Sequence, residues 1–331
     1  MNWVYVTERN YSEFFNKTIE TDFGPMLLPQ QWQPTLWGIL CYENDSIVAG
    51  WVGQKRIKNK ALGLFYQEIA FESQPLFFCD AIDELEFLDK VRAMAKRSGI
   101  STLCVSHWSR GRMKLEEKCA TFVIDLSNEN LFLSLEPTQR NKVRKGEKTG
   151  VQCKIVSSKS EMMSFVDDFQ RLRQDTQHRA IENNSKASML LKSKLFFENI
   201  FKNYNVCLGV AEYEGAVASV ALAMMSGKTM YYYSGGSDIE MNRKSGASAL
   251  LVWKMIEYAK KNGYKYFDMG GVPVAPDENH PAYGVYKFKK SYGGEYMEFT
   301  CGDIVLSKFK HDFIQLAKDN RKLLRIVSSK M

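Results

Sequence analysis

The stretch Ala259-Lys260-Lys261-Asn262-Gly263-Tyr264 closes an amphipathic segment over residues 248–262 and leads into the apolar run 264–269. Apolar residues at helical spacing, then basic residues, then glycine predict a helix stopped by Gly263 with a strand after it. Ala95-Lys96-Arg97-Ser98-Gly99-Ile100 repeats the idiom 259 − 95 = 164 residues earlier, ahead of a strand-like run at 101–106. Its helix, over 86–98, carries Phe87, Leu88, Val91, Met94 and Ala95 at the same spacing. About half the 331-residue chain separates the two copies. An internal duplication is therefore expected.

Short strands precede each copy. Apolar runs at 205–213, 217–225 and 229–233 are broken by Glu214-Gly215 and Ser226-Gly227-Lys228, which predicts a three-stranded antiparallel meander. Runs at 36–42 and 46–52 flank Glu43-Asn44-Asp45 and read as a hairpin; 61–71 and 121–126 read as further strands. Residues 167–175 and 190–204 read as helices, the second from Leu191, Leu195, Phe196, Ile200 and Phe201. The expected fold class is α/β (α+β): two meander–helix–strand units, each too small to hide both sheet faces alone.

The composition agrees. With 45% hydrophobic and 13% aromatic residues, global disorder is excluded. The net charge is 45 − 38 = +7, moderate for a dedicated nucleic-acid binder but compatible with an anionic partner. The start, Met1-Asn2-Trp3-Val4, lacks a signal-peptide pattern, and no run approaches the ~20 apolar residues of a membrane helix. The seven cysteines are scattered with no Cys-x-x-Cys pair, and the four histidines form no cluster, so no metal site is expected. A cytoplasmic setting fits this usage best.

Three segments carry candidate chemistry. Arg140, Arg144 and Lys148 share a helical face, with Lys142 and Lys145 beside it and Gly150 as a stop; this reads as a phosphate-docking stripe or a solvated linker helix. Arg243-Lys244-Ser245-Gly246-Ala247-Ser248 precedes the helix at 248–262 and reads either as a pyrophosphate loop through Arg243, Gly246 and Ser248, or as a plain cap with Ser248 as N-cap. Asp268-Met269-Gly270-Gly271 and then Tyr283-Gly284-Val285-Tyr286-Lys287-Phe288-Lys289-Lys290 place lysines among aromatic rings. One such lysine can clamp an oxyanion; the plainer alternative is a surface strand with alternating lysines. Asp268, at a strand end beside the glycine pair, reads either as a proton acceptor or, more simply, as a structural carboxylate holding the glycine turn.

In order and spacing, the helix at 249–261, the strand at 264–271, Gly284-x-Tyr286-x-Phe288-Lys289 and Gly293-Gly294-Glu295 resemble the C-terminal signature of the FemABX aminoacyltransferases. That family lies within the Gcn5-related N-acyltransferase superfamily. Thr121–Ser127, Arg140-x-x-x-Arg144-Lys145 and Tyr231-Tyr232-Tyr233-Ser234-Gly235-Gly236-Ser237 agree with it. The resemblance implies two tandem acyltransferase-like domains, mixed and mostly antiparallel sheets flanked by helices, with the second domain inserted in the first. The expected bounds are 1–145 plus 302–331, and 146–301. Sustained heptads are missing, so the coiled-coil arm of larger members is not expected.

The resemblance further implies a donor aminoacyl-tRNA, no cofactor or metal, and as acceptor an amine of a nucleotide- or lipid-linked peptidoglycan-type precursor. Peripheral contact with the inner membrane face would follow. Lys289 and Phe288 would sit at the transferred ester, Phe288 stacking near the terminal adenosine and Lys289 offsetting the intermediate's charge. Tyr232 or Tyr233 would line the precursor site. The stretch Gln30-Gln31-Trp32-Gln33-Pro34-Thr35-Leu36-Trp37 lacks the lysine that nucleotide-precursor binders carry there. Two other readings therefore stand beside this one: an acyl-CoA-dependent N-acyltransferase acting on a surface amino sugar, and a non-catalytic binding module.

Overall fold

The computed structural model describes residues 1–56, 65–80, 82–106, 113–183 and 192–319, with backbone only at 179–183 and 317–319. The first part of the expected strand 61–71, the start of the expected helix 190–204 and the tail beyond 319 lie outside these residues.

In chain order the strands are β1 (Asn2–Tyr5), β2 (Leu36–Glu43), β3 (Ser46–Arg56), β4 (Glu68–Phe71), β5 (Leu76–Phe77), β6 (Thr102–Val105), β7 (Glu117–Asp125), β8 (Gln152–Val156), β9 (Val206–Tyr213), β10 (Ala216–Ser226), β11 (Thr229–Ser237), β12 (Tyr266–Asp268) and β13 (Glu295–Val305). The helices are α1 (Glu8–Ile19), α2 (Glu84–Arg97), α3 (Leu131–Ser134), α4 (Pro137–Lys148), α5 (Lys159–Ser164), α6 (Val166–Asn183), α7 (Lys194–Asn203), α8 (Ile239–Ser245), α9 (Ala247–Lys261), α10 (Tyr283–Lys290) and α11 (Lys308–Asp319). The expected hairpin, meander and both helix–glycine–strand units are present. These mixed, mostly antiparallel sheets flanked by helices are the fold class read from the sequence.

Two compact units form. The first holds residues 1–18, 31–118 and 299–331; the second holds 19–30 and 119–298. The sequence puts the main boundary at 145/146, but α4 packs into the core of the second unit. Val143 is fully buried there with Leu250 and Leu251 of α9, and a Cβ on Gly146 would lie 2.7 Å from Leu250 Cβ. Residues 19–30 join the same unit through backbone carbonyls: Asp22 accepts from Thr229 Oγ1 and Gly24 from the Tyr231 hydroxyl.

Within the first unit, β1, β2, β3 and β4 run antiparallel in sequence, and β4 pairs parallel with β6. Residues Gly302–Val305 of β13 close the other side of β6. The core stacks Trp51 on Phe71 at 3.9 Å and packs Phe87, Val91 and Ala95 of α2 beneath them. Past the last parallel pair, Phe71 and Val105, Ser106 N still donates to Phe71 O at 2.9 Å. The buried Gln74 amide donates to Met113 O and accepts from Met113 N (3.0 and 2.8 Å).

The second unit repeats the plan. Its strands β8, β9, β10 and β11 are antiparallel neighbours, β11 pairs parallel with β12, and β12 pairs antiparallel with β7. Each unit thus has one parallel pair, entered by a helix that ends in a left-handed glycine: Gly99 (φ +74°) and Gly263 (φ +78°). A side chain at such a φ is strained by contact with its own carbonyl, which explains why glycine stops both helices.

The segment 283–290 is a helix, not the alternating strand. Tyr286 and Lys289 turn inward three residues apart, while Val285, Lys287 and Lys290 face solvent. That period is helical.

On the other sheet face, α6 lies directly on β11. A Cβ on Gly236 would stand 2.5 Å from the Leu172 carbonyl carbon and oxygen. Backbone cannot yield as a flexible side chain does. Gly236→Ala should therefore cost about 1–3 kcal/mol of stability, read as a lowered denaturation midpoint with unchanged slope.

Candidate active site

The parallel pairing of β11 with β12 covers three residue pairs and stops at Tyr231 and Asp268. Beyond that point each chain follows another partner. The strand β11 continues along β10 through the pair Ser237 and Ser219. Residues 269–272 continue along β7, with Met269 N on Phe122 O and Val272 N on Ala120 O. A bulge opposite Leu222 and Ala223 leaves Tyr233 unpaired and adds twist to β11. The two strands therefore splay, with Tyr232 on one side and Gly270-Gly271 on the other.

The glycine side is fixed by Asp268. Its Oδ1 accepts from Gly270 N (2.8 Å) and from the hydroxyl of the buried Thr121. This matches the structural role read for Asp268. Helix α10 then lays Lys289 into the splay. Only 8% of Lys289 is exposed, and its Nζ donates to Gly271 O at 3.0 Å. The ammonium also lies 5.8 Å from the centroid of the Tyr232 ring, a cation–π arrangement. Burial pushes the Lys289 amine down to about 8, against the opposing charge of Asp268. Tyr232 moves the other way, to about 12, because burial disfavours its phenolate.

Phe288 packs beside this pair, 6.5 Å from Tyr232 and 5.4 Å from the buried Tyr292 between ring centroids. Opposite, Arg173 of α6 donates to Ser234 Oγ and lies over the Phe197 ring at 5.5 Å. The site thus offers an amine of lowered proton affinity, aromatic walls and a guanidinium where the two strands part. Such an opening can hold an ester carbonyl beside a cation that answers charge as it develops.

Residues 209–319 match the FemAB family, over the meander, α9, β12 and α10. The FemAB segment contains Tyr232, Asp268, Phe288 and Lys289, and leaves out Arg173 and α4. The lipid II:glycine glycyltransferase of Staphylococcus saprophyticus is 34% identical over 107 residues, 32% of this chain and 25% of the relative. That of Staphylococcus aureus strain USA300 is 33% identical over the same length and shares. The aligned region thus spans about a quarter of the length of these curated relatives. The fold extends further: the structure of FemX superposes with a TM-score of 0.67 at 16% identity, covering 96% of this chain and 99% of FemX.

The other sequence candidates land differently. Arg140 turns back and donates to the carbonyls of Leu133 (2.8 Å) and Leu135 (2.6 Å), so it closes α3. Arg144 lies over Phe132 at 5.3 Å, while Lys148 stays exposed. The basic stripe is split between packing and solvent.

The segment at Arg243, Gly246 and Ser248 is not an open loop. Gly246 is a left-handed joint (φ +77°) between α8 and α9, and it replaces Ser248 as the cap residue. The amides there are already satisfied: Gly246 N on Asn242 O, Ala247 N on Ser245 Oγ, Ser248 N on Asn242 Oδ1 and Ala249 N on Gly246 O. Lys145 Nζ takes the Arg243 carbonyl at 2.7 Å. A pyrophosphate would have to displace this whole set.

Sequence reasoning missed Arg173. The signal was present: Phe169, Leu172, Arg173 and Thr176 follow the 3-4 spacing of a partly buried helix stripe, where an arginine is out of place.

Lys289 sets a pH dependence. Its folded value lies below that of an unfolded lysine, so the unfolded chain binds more protons between about pH 8 and the ordinary lysine range. Stability therefore rises with pH through that window. Lys289→Met should remove this rise, seen as the difference between wild-type and variant denaturation curves at pH 7.5 and 9.5.

Proposed function

We propose that the chain is an acyltransferase that moves an aminoacyl group from the ester of an aminoacyl-tRNA to an amine of a lipid-linked cell-envelope precursor. The observation that carries this reading is Lys289, buried in the splay of a FemAB segment with its ammonium on Gly271 O and Tyr232. The curated relatives, named as acting on lipid II, support the acceptor class. A lipid-linked acceptor would be met at the membrane surface; among the described residues no helix is long and apolar enough to cross a membrane.

In the proposed reaction the acceptor's neutral amine attacks the ester carbonyl, and the carbonyl pair moves to oxygen. The Lys289 ammonium stabilises that oxyanion. Collapse of the intermediate breaks the bond to the ribose oxygen, which leaves with the proton given up by the amine. The amide product and the free tRNA hydroxyl balance the step. Tyr232 holds the ammonium against its ring, and Phe288 adds an aromatic wall for the terminal base. Arg144, Lys148 and the exposed Lys142 remain for phosphate contacts along α4.

The acyl-CoA reading is weaker, because the joint at Gly246 has no spare amide for a pyrophosphate. Charged tRNA should raise the apparent melting temperature, and acetyl-CoA should not. The reverse result sinks the tRNA donor.

Lys289→Met should abolish transfer while leaving the fold cooperative, and Lys289→Arg should restore part of it. Because the clamp must be protonated, the wild-type rate should fall as pH rises past about 8, the value burial gives Lys289. A rate in Lys289→Met equal to wild type removes the assigned role.

A further inference from the structure

Asp268 carries a charge that its turn does not require. The residue is 2% exposed, and its Oδ1 accepts from Gly270 N at 2.8 Å and from the hydroxyl of the buried Thr121. An amide oxygen could accept both bonds. Burying a carboxylate costs far more than burying an amide unless a cation answers it. The charge therefore serves something besides the turn.

The Gly270–Gly271 turn leads to its counterpart. Gly271 O accepts from Lys289 Nζ at 3.0 Å, so two successive glycines bridge the carboxylate and the ammonium. A carboxylate facing a buried amine favours the protonated form of that amine. The other groups around Lys289 do not supply a negative charge. Tyr232 of β11 and Tyr292, just past α10, are phenols that burial keeps neutral. Arg173 of α6 acts on Tyr232, and a cation there opposes an ammonium. Thr121 of β7 is uncharged, while Lys287 and Lys290 of α10 face solvent.

Magnitude decides whether the carboxylate matters. Burial drives the Lys289 amine down, Asp268 drives it up, and the two balance at about 8. One opposite charge at close range moves such a value by about 1–3 pH units. Without Asp268 the amine would lose its proton near or below neutral pH, and a neutral amine answers an oxyanion poorly.

We infer that Asp268 is a positioning residue for the proposed reaction: its buried carboxylate, aimed by Thr121 and the Gly270 amide, holds Lys289 in the charged form that the clamp needs. The inference rests on the acyltransferase reading for its consequence in catalysis, but the coupling of the two groups is measurable without transfer.

The test is carbon NMR of the full chain with isotope-labelled lysine side chains, Lys289 being the resonance lost in Lys289→Met. In the wild type its titration midpoint should fall at about 8. Asp268→Asn keeps an oxygen for Gly270 N and Thr121 and removes the charge, so the midpoint should drop by about 1 pH unit or more. Asp268→Ser, whose hydroxyl can also accept from the turn amide, is a second charge-free variant with the same expected drop. In transfer assays, the ratio of variant to wild-type kcat cancels the acceptor amine's own titration. That ratio should fall about 5-fold or more at pH 8 and much less at pH 6, with KM for charged tRNA nearly unchanged.

A wild-type midpoint below about pH 7 overturns the inference, because Asp268 then fails to keep the clamp charged. A midpoint in the ordinary lysine range overturns it too, because no burial then needs offsetting. Neither result depends on a variant folding. An unchanged midpoint in a cooperatively folded charge-free variant assigns Asp268 to the turn alone and also overturns it. A lowered midpoint in a chain that transfers nothing from charged tRNA upholds the coupling and sinks the donor reading instead.

Discussion

The end of the β11–β12 pairing at Tyr231 and Asp268 is the constraint on which the second unit depends. Every backbone group past that point needs a partner. Those of β11 find β10, and those of 269–272 find β7. The Gly271 carbonyl faces the gap, and Lys289 supplies its donor at 3.0 Å. The lysine is thus held by the same geometry that opens the sheet. Its depressed proton affinity follows from that burial, not from a neighbouring cation.

The position of the glycines reinforces the opening. Asp268 folds the Gly270 turn onto itself, and Thr121 from β7 anchors the carboxylate. On the other side, Gly236 lets α6 sit on β11 at backbone distance. Neither strand can drift back to close the gap without breaking buried hydrogen bonds or leaving α6 unsupported.

Much of this was legible in the sequence, because it rested on local rules. The helix–glycine–strand idiom at Gly99 and Gly263, the meander, and the lysine among aromatics at 283–290 all follow periodicity and turn chemistry. What escaped depends on contacts far apart in sequence. Residues 19–30 join the second unit through carbonyls, which have no side-chain signature. The boundary falls at 118/119 rather than 145/146 because β7 pairs with β12 and α4 packs on Leu250 of α9. Arg243–Ser248 has the composition of an anion loop, and Asn242 and Ser245 use up its amides. Arg173 was readable only as a misfit at the edge of a core stripe, because its partner Ser234 lies 61 residues on.

The two units treat the chain beyond their parallel strand pairs differently. In the first, the segments that follow β4 and β6 are tied together by the Gln74 amide and Met113, which bond each other as two strands would. A substitution at Gln74 therefore acts on packing and hydrogen bonding, whereas one at Lys289 also changes the charge buried beside Gly271 and Tyr232.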